Sequence, residues 1–267
     1  MNDLRPVRQG RATEAGVDEF FWRERWASGQ IGFHLPTPHP LLAAHHDAIA
    51  AARRIYVPLC GKTVDLTWLA SRDHDVVGVE LVPAAVEQLW QESALEPSRR
   101  TIRQDTARQD TAGQDTAGQD TAGQYAVHHV DPDVERGRGR LDVLVGDALA
   151  VDAALFTEAA GGLADAIYDR AALVALHPDQ RVAYAAALRR VLRPGGRILL
   201  IAFSYDQTKL DGPPWSVDET TVRALFSDAF AVETLAVRDE SLGPKFVAAG
   251  VTALHEICLC LNHRGTP

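Results

Sequence analysis

Apolar residues along this chain fall into short runs at regular intervals, separated by segments of helical spacing. Ile55-Tyr56-Val57, Val76-Val77-Gly78-Val79, Leu141 to Val145, Ala164 to Tyr168 and Ile198 to Phe203 each read as a strand buried on both faces. The pattern predicts strands near 54–58, 75–80, 141–145, 164–169 and 197–203, with two more near 230–237 and 253–261. Helices are predicted at 63–71, 83–93, 178–192 and 217–227, so strands and helices alternate. That alternation argues for an α/β fold, a parallel sheet with helices on both faces. The 178–192 helix is the best signalled. Pro178 stands at its start, Tyr184, Leu188, Val191 and Leu192 make an apolar face, and Pro194-Gly195-Gly196 ends it.

Ahead of the first strand, Val17, Phe20, Phe21 and Trp26 recur at helical spacing over 17–27. Gly29 to His34 reads as a loop, and Pro36, Pro38 and Pro40 exclude regular structure until a helix over 41–52 with Pro40 at its start. Residues 1–16 read as a flexible leader and 17–267 as one domain, with 17–52 as an N-terminal lid and helices. Residues 103–122 are four copies of a pentapeptide, Arg-Gln-Asp-Thr-Ala twice and then Gly-Gln-Asp-Thr-Ala twice. A five-residue period repeats no helical face, and the segment holds no large apolar residue. A cation array on Asp105, Asp110, Asp115 and Asp120 was weighed against a disordered loop. The second reading is preferred, and 101–124 is expected to be a low-complexity disordered insert.

Composition changes this picture little. A chain of 267 residues, 46% of them hydrophobic, can bury a full core. Its longest apolar runs are far too short to span a membrane, and no secretory signal is read at the N-terminus. The net charge of −9 disfavours a nucleic-acid partner. Cys60, Cys258 and Cys260 make no disulfide framework, so a cytoplasmic protein is expected. No histidine or cysteine spacing indicates a metal.

The chemistry gathers at the carboxyl ends of the strands, where open parallel sheets bind ligands. The first strand runs into Pro58-Leu59-Cys60-Gly61-Lys62, a turn whose glycine lets the backbone approach a ligand. The second ends on Glu80, placed to accept hydrogen bonds from ribose hydroxyls. This spacing fits either a dinucleotide or S-adenosylmethionine, and the lack of G-x-G-x-x-G disfavours the dinucleotide. Asp147, in Gly146-Asp147-Ala148 after the next strand, could meet an adenine amino group. Tyr168-Asp169-Arg170 ends the strand beyond. An Asp-Arg neighbour pair is commonly a plain ion pair, yet a cation there suits an anionic acceptor or the cofactor carboxylate. Trp26 and Phe33 flank a loop that could fold over the site, whereas Trp22 reads as packing. Cys60, Cys258 and Cys260 read as inert buried thiols.

These residues occur in a recognisable order. Phe21-Trp22-Arg23-Glu24-Arg25-Trp26, Gln30 to His34, Val57 to Lys62, Val77 to Leu81 and Tyr168 to Leu173 resemble the thiopurine S-methyltransferase family over about 19–261. Ser204 to Lys209 and Gly212-Pro213-Pro214-Trp215 add to the resemblance. It implies a seven-stranded, mostly parallel Rossmann-like sheet and methyl transfer from S-adenosylmethionine to the sulfur of thiopurines or aromatic and heterocyclic thiols. It also implies cofactor binding by Trp26, Leu59, Glu80 and Arg170, joined here by Gly61, Asp147 and Ala148 from the strand-end reading. Phe33 and Trp215 would face the acceptor; Trp215 replaces the usual phenylalanine. No obligatory general base is expected, and Arg170 could act electrostatically. The alternatives are selenium, tellurium or halide acceptors, a binding module without turnover, and a nicotinamide oxidoreductase. A small thiol or chalcogen acceptor, a monomer and no membrane or nucleic-acid partner complete the expectation.

Overall fold

A computed structural model of the chain describes residues 18–104 and 123–265. The leader, Val17 and residues 105–122, which carry most of the pentapeptide repeat, lie outside the described residues. The strands are β1 (Arg54–Pro58), β2 (Asp75–Glu80), β3 (Ser98–Arg103), β4 (Gln124–Val130), β5 (Leu141–Val145), β6 (Ala164–Arg170), β7 (Leu192–Tyr205), β8 (Phe230–Asp239) and β9 (Leu254–His263). The helices are α1 (Glu19–Ala27), α2 (Pro40–His45), α3 (Asp65–Ala70), α4 (Pro83–Ser93), α5 (Ala153–Ala160), α6 (Arg181–Val191), α7 (Glu219–Phe226) and α8 (Pro244–Ala248).

One nine-stranded sheet has the order β3-β4-β5-β2-β1-β6-β7-β9-β8. Its centre, β5-β2-β1-β6-β7, is parallel, and the outer pairings are antiparallel. The α/β class holds. The strand count is nine rather than seven, because β3 and β4, for which no strand was expected, flank the repeat and overlap the ends of the expected disordered insert. Residues 101–103 and 124 are therefore strand. Ser98 to Arg103 pairs with His129 to Gln124, and the Gln104 N–H donates to the Gly123 carbonyl at 2.8 Å. The pattern hides β3 because only Ile102 of its six residues is buried.

Burial on both faces explains the apolar runs of the central strands. Ile55 and Val57 of β1 pack with Leu42 of α2, Leu66 and Leu69 of α3 and Leu89 of α4. Tyr56 points the other way, into Phe156 of α5, and shares a core with Tyr184 of α6 and Phe226 of α7. The α5 helix was not expected from its alanine-rich sequence. Its start is nonetheless marked, since the Asp152 carboxylate accepts from the Leu155 N–H at 2.8 Å. The predicted 41–52 helix is shorter, stopping at His45 before a 3-10 turn over His46–Ala48.

Because β3 and β4 are already paired up to Gln104 and Gly123, residues 105–122 can be replaced by Asn-Gly, a two-residue hairpin turn. Shortening the connection from eighteen residues to two should lower its closure entropy cost by about 2 kcal/mol. The expected outcome is a thermal midpoint no lower than that of the parent and unchanged S-adenosylhomocysteine affinity by calorimetry. Loss of folding would show that the repeat holds the hairpin together.

Candidate cofactor site

The site begins with a turn that the backbone forms at a conformational cost. Leaving β1, Leu59 adopts φ +47° and Gly61 φ +54°, and between them the Cys60 N–H donates back to the Val79 carbonyl at 3.0 Å. Gly61 suits this twice over. Glycine enters the left-handed region freely, and a Cβ there would lie 3.0 Å from Cζ2 of Trp26. Trp26 comes from α1, started by Asp18, whose carboxylate accepts from the Phe21 N–H. It is buried at 5% exposure.

Glu80, at the end of β2, is the polar centre. One carboxylate oxygen accepts from the Gly61 N–H at 2.8 Å and the other from the Val82 N–H at 2.7 Å. Burial nevertheless dominates and pushes its pKa up to about 7. Each carboxylate oxygen has two lone pairs and spends one on the backbone, so both keep one for a further donor. A ribose diol fits that donor set.

The next strand end repeats the arrangement. Asp147 follows β5, half-buried, with one oxygen accepting from the Leu149 N–H at 2.9 Å. Burial, aided by the nearby Glu19 carboxylate of α1, raises its pKa. Ala148 beside it is buried in the core. Tyr125 of β4, absent from the expected residues, lies flat over Gly146, where a Cβ would come within 2.2 Å of its ring. Its hydroxyl donates to the Asp147 carbonyl at 3.2 Å.

Asp169 and Arg170 do not form the ion pair weighed from the sequence. Neighbours on a strand point to opposite faces. Asp169, fully buried, accepts from the Tyr184 hydroxyl at 2.8 Å and the Leu173 N–H at 3.2 Å, and burial raises its pKa to about 6. Arg170 donates instead to the Phe33 carbonyl at 2.6 Å, which fastens the N-terminal loop to the end of β6. Phe33 meets Trp26 and Trp22 edge-on at 5.8 and 5.9 Å.

Trp26, Phe33, Leu59, Gly61 and Arg170 thus line one cavity, together with His34, Lys62, Asp65 and Tyr168. Burial, then the Lys62 charge, lowers the His34 pKa and favours a neutral ring. The Asp65 carboxylate accepts from the His39 N–H at 2.8 Å and the Tyr168 hydroxyl at 3.0 Å. The cavity volume is about 30 Å³. Trp215 does not line it. Its ring is edge-on to His177 at 4.9 Å, and its backbone N–H donates to the Val174 carbonyl. Cys60 is buried, and burial pushes its thiol pKa far up, as for an inert thiol.

Strand ends that present, in sheet order, Asp147, Glu80, the Gly61 turn and Arg170 suit an adenosyl ligand with a charged tail. Comparison with known proteins agrees. The thiopurine S-methyltransferase (TPMT) family profile matches residues 17–116 and 121–264. A thiopurine S-methyltransferase of Pseudomonas fluorescens (strain SBW25) is 41% identical over 244 residues, covering 88% of this chain and 94% of that one. One from Xanthomonas campestris pv. campestris (strain 8004) is 39% identical over 241 residues, 89% and 95% of the two chains. The crystal structure of Burkholderia thailandensis 1,6-didemethyltoxoflavin-N1-methyltransferase, with bound S-adenosylhomocysteine, superposes with a TM-score of 0.52. It is 16% identical and covers 92% of this chain and 87% of that one, a likeness of fold. Among the described residues no helix is long and apolar enough to cross a membrane. The chain belongs to the thiopurine S-methyltransferase family and is an S-adenosylmethionine-dependent methyltransferase.

Proposed function

We propose that the chain transfers the methyl group to the sulfur of thiopurines or of aromatic and heterocyclic thiols, acting as a monomer in the cytoplasm on a small acceptor. The observation that carries this reading is a cavity with cations in its wall and aromatic rings for a roof. Arg170 and Lys62 line it beneath Trp26 and Phe33. When bound, S-adenosylmethionine supplies a methyl already activated by its sulfonium. What remains for the protein is to align the reactants, exclude water and favour an anionic nucleophile. An aromatic thiol ionises readily near neutral pH and needs no strong base. Arg170 favours that thiolate over a neutral amine, and the aromatic edges suit a flat heterocycle. The names of the two bacterial relatives support the same acceptor class.

In this reading Glu80 receives the ribose hydroxyls, Asp147 and Ala148 the adenine, and Leu59, Gly61, Trp26 and Arg170 the remainder of the cofactor. Phe33 faces the acceptor, whereas Trp215, on the loop after β7, does not line the cavity and has no part in this placement. The segment from Asp18 to Phe33 serves as a lid, because it carries Trp26 and Phe33 into the wall of the cavity. Incubation with labelled cofactor and a panel of thiopurines, thiophenols, amines, selenite, tellurite and iodide tests the acceptor. Methyl thioethers are expected by mass spectrometry. Transfer to selenium, tellurium or halide alone would move the assignment to those acceptors, and binding without transfer would leave a module without turnover.

Glu80→Ala should raise the S-adenosylhomocysteine dissociation constant about ten- to hundredfold, since hydrogen bonds to a charged acceptor are worth roughly 1.5–3 kcal/mol each. The raised Glu80 pKa also fixes a pH signature. Between its ordinary 4.5 and about 7, the folded protein holds this proton more tightly than the unfolded chain. Its contribution to stability therefore falls as pH rises through that window and levels off above it. The thermal midpoint of the wild type relative to Glu80→Gln should fall accordingly. Ligand hydroxyls favour the carboxylate, so affinity should drop by about tenfold per pH unit below pH ~7. A flat profile would remove Glu80 from the ribose.

Trp26→Ala should damage cofactor binding, while Phe33→Ala should act more on the acceptor KM. Hydrogen exchange over 18–33 should slow on adding S-adenosylhomocysteine, and more than in α6. If exchange is unchanged and both variants behave as wild type, these rings are packing residues. The acceptor site must then be sought at Pro213, Pro214 and Trp215.

A further inference from the structure

The cavity holds a second cation whose partner is out of place. The sheet order β5-β2-β1-β6 sets Asp147, Glu80, the Gly61-Lys62 turn and Arg170 in a row. If the adenosyl group lies along Asp147 and Glu80, as proposed above, its amino-acid tail falls over the β1 turn, in the cavity that Lys62 lines. Arg170 is already committed there to the Phe33 carbonyl. The Lys62 ammonium is different. Its side chain is 9% exposed, yet its ion pair, at 2.5 Å, is with Glu92, a carboxylate at 49% exposure that reaches in from α4. The other Glu92 oxygen is 3.9 Å from His34 of the lid loop.

A buried ammonium cannot be left without a counter-charge, whereas a half-exposed carboxylate is easily rehydrated once released. The two ends of this pair are therefore unequal. Lys62 needs an anion, and Glu92 does not need Lys62. We propose that Lys62 binds the α-carboxylate of the cofactor's amino-acid tail, and that Glu92 is a placeholder that gives up the ammonium when the tail enters. The inference rests on the cofactor placement above and adds to it a residue and an internal competitor. It gives the two partners of one ion pair opposite effects on ligand affinity. A pair that merely braces the fold would give both the same sign.

Calorimetry of the full chain with S-adenosylhomocysteine and with 5′-methylthioadenosine tests this directly. The second ligand keeps the adenine, ribose and thioether and lacks the amino-acid tail. Lys62→Met should weaken S-adenosylhomocysteine tenfold or more and leave 5′-methylthioadenosine within twofold. Glu92→Gln should tighten S-adenosylhomocysteine severalfold, again without effect on the tail-less ligand. An unchanged ratio of the two affinities in Lys62→Met, or weaker S-adenosylhomocysteine binding by Glu92→Gln, overturns the proposal. Should Lys62→Met fail to fold, the sign of the Glu92→Gln effect decides alone. If the wild-type chain binds neither ligand, the cofactor placement fails and this inference with it. Any of the other adverse outcomes leaves that placement standing.

Discussion

The bond from the Gly61 N–H to the Glu80 carboxylate, at 2.8 Å, is the constraint on which the site depends. It joins the turn after β1 to the end of β2, two neighbouring strands, and so fixes where the backbone passes under Trp26. Because Glu80 also takes the Val82 N–H, it sets the entry of the chain into α4. The carboxylate thus organises three segments that are otherwise only adjacent. A group buried this deeply would ordinarily be replaced by an apolar one, since taking its charge out of water costs more than two backbone bonds return. Its raised pKa records that imbalance. In the cofactor placement proposed here, the ribose hydroxyls would supply further donors and correct it.

Arg170 plays the matching part on the far side of the cavity. By donating to the Phe33 carbonyl it makes the position of the N-terminal loop depend on a strand end in the middle of the sheet. The loop is held again at its far end, where the His39 N–H donates to Asp65. Between these two anchors lies irregular chain over residues 34–38, which includes Pro36 and Pro38. A segment pinned at two points and free between them can hinge without unfolding the sheet beneath it.

What was legible in the sequence follows from periodicity. The five central strands are continuous apolar runs because helices cover both faces; α4 starts at Pro83, and Pro178 opens the 3-10 turn that leads into α6. The hairpin of β3 and β4 was not legible. An edge strand reading Ser-Arg-Arg-Thr-Ile-Arg exposes almost everything, and a low-complexity repeat sits between it and its partner. Asp169 and Arg170 were weighed as a pair although strand geometry forbids it; period two separates them more surely than charge unites them. Glu80, Gly61 and Asp147 could be placed from strand ends alone. Trp26 and Phe33 gained their roles from family resemblance, because aromatic residues on a helix and a loop look the same whether they pack or cover a site. Tyr125 was hidden for a third reason. Its contact with Gly146 crosses strands twenty-one residues apart, and nothing in either segment advertises the other.

The arrangement also explains why so little of the chemistry needs a named catalyst. Along the row of strand ends the charge changes sign once, with carboxylates at β5 and β2 and cations at the β1 turn and β6. An adenosyl ligand is a string of donors, in its amino group and its ribose hydroxyls, followed by a tail that ends in a carboxylate. The two sequences of charge match in one direction and not in the other, so the same residues that bind also orient. In the function proposed here, orientation places the reactive carbon at the β6 end, near the Trp26 and Phe33 rings. On that proposal an acceptor beside Arg170 is flat or small and gains from carrying negative charge. Selection for an ionised sulfur would then be a by-product of how the cofactor is held.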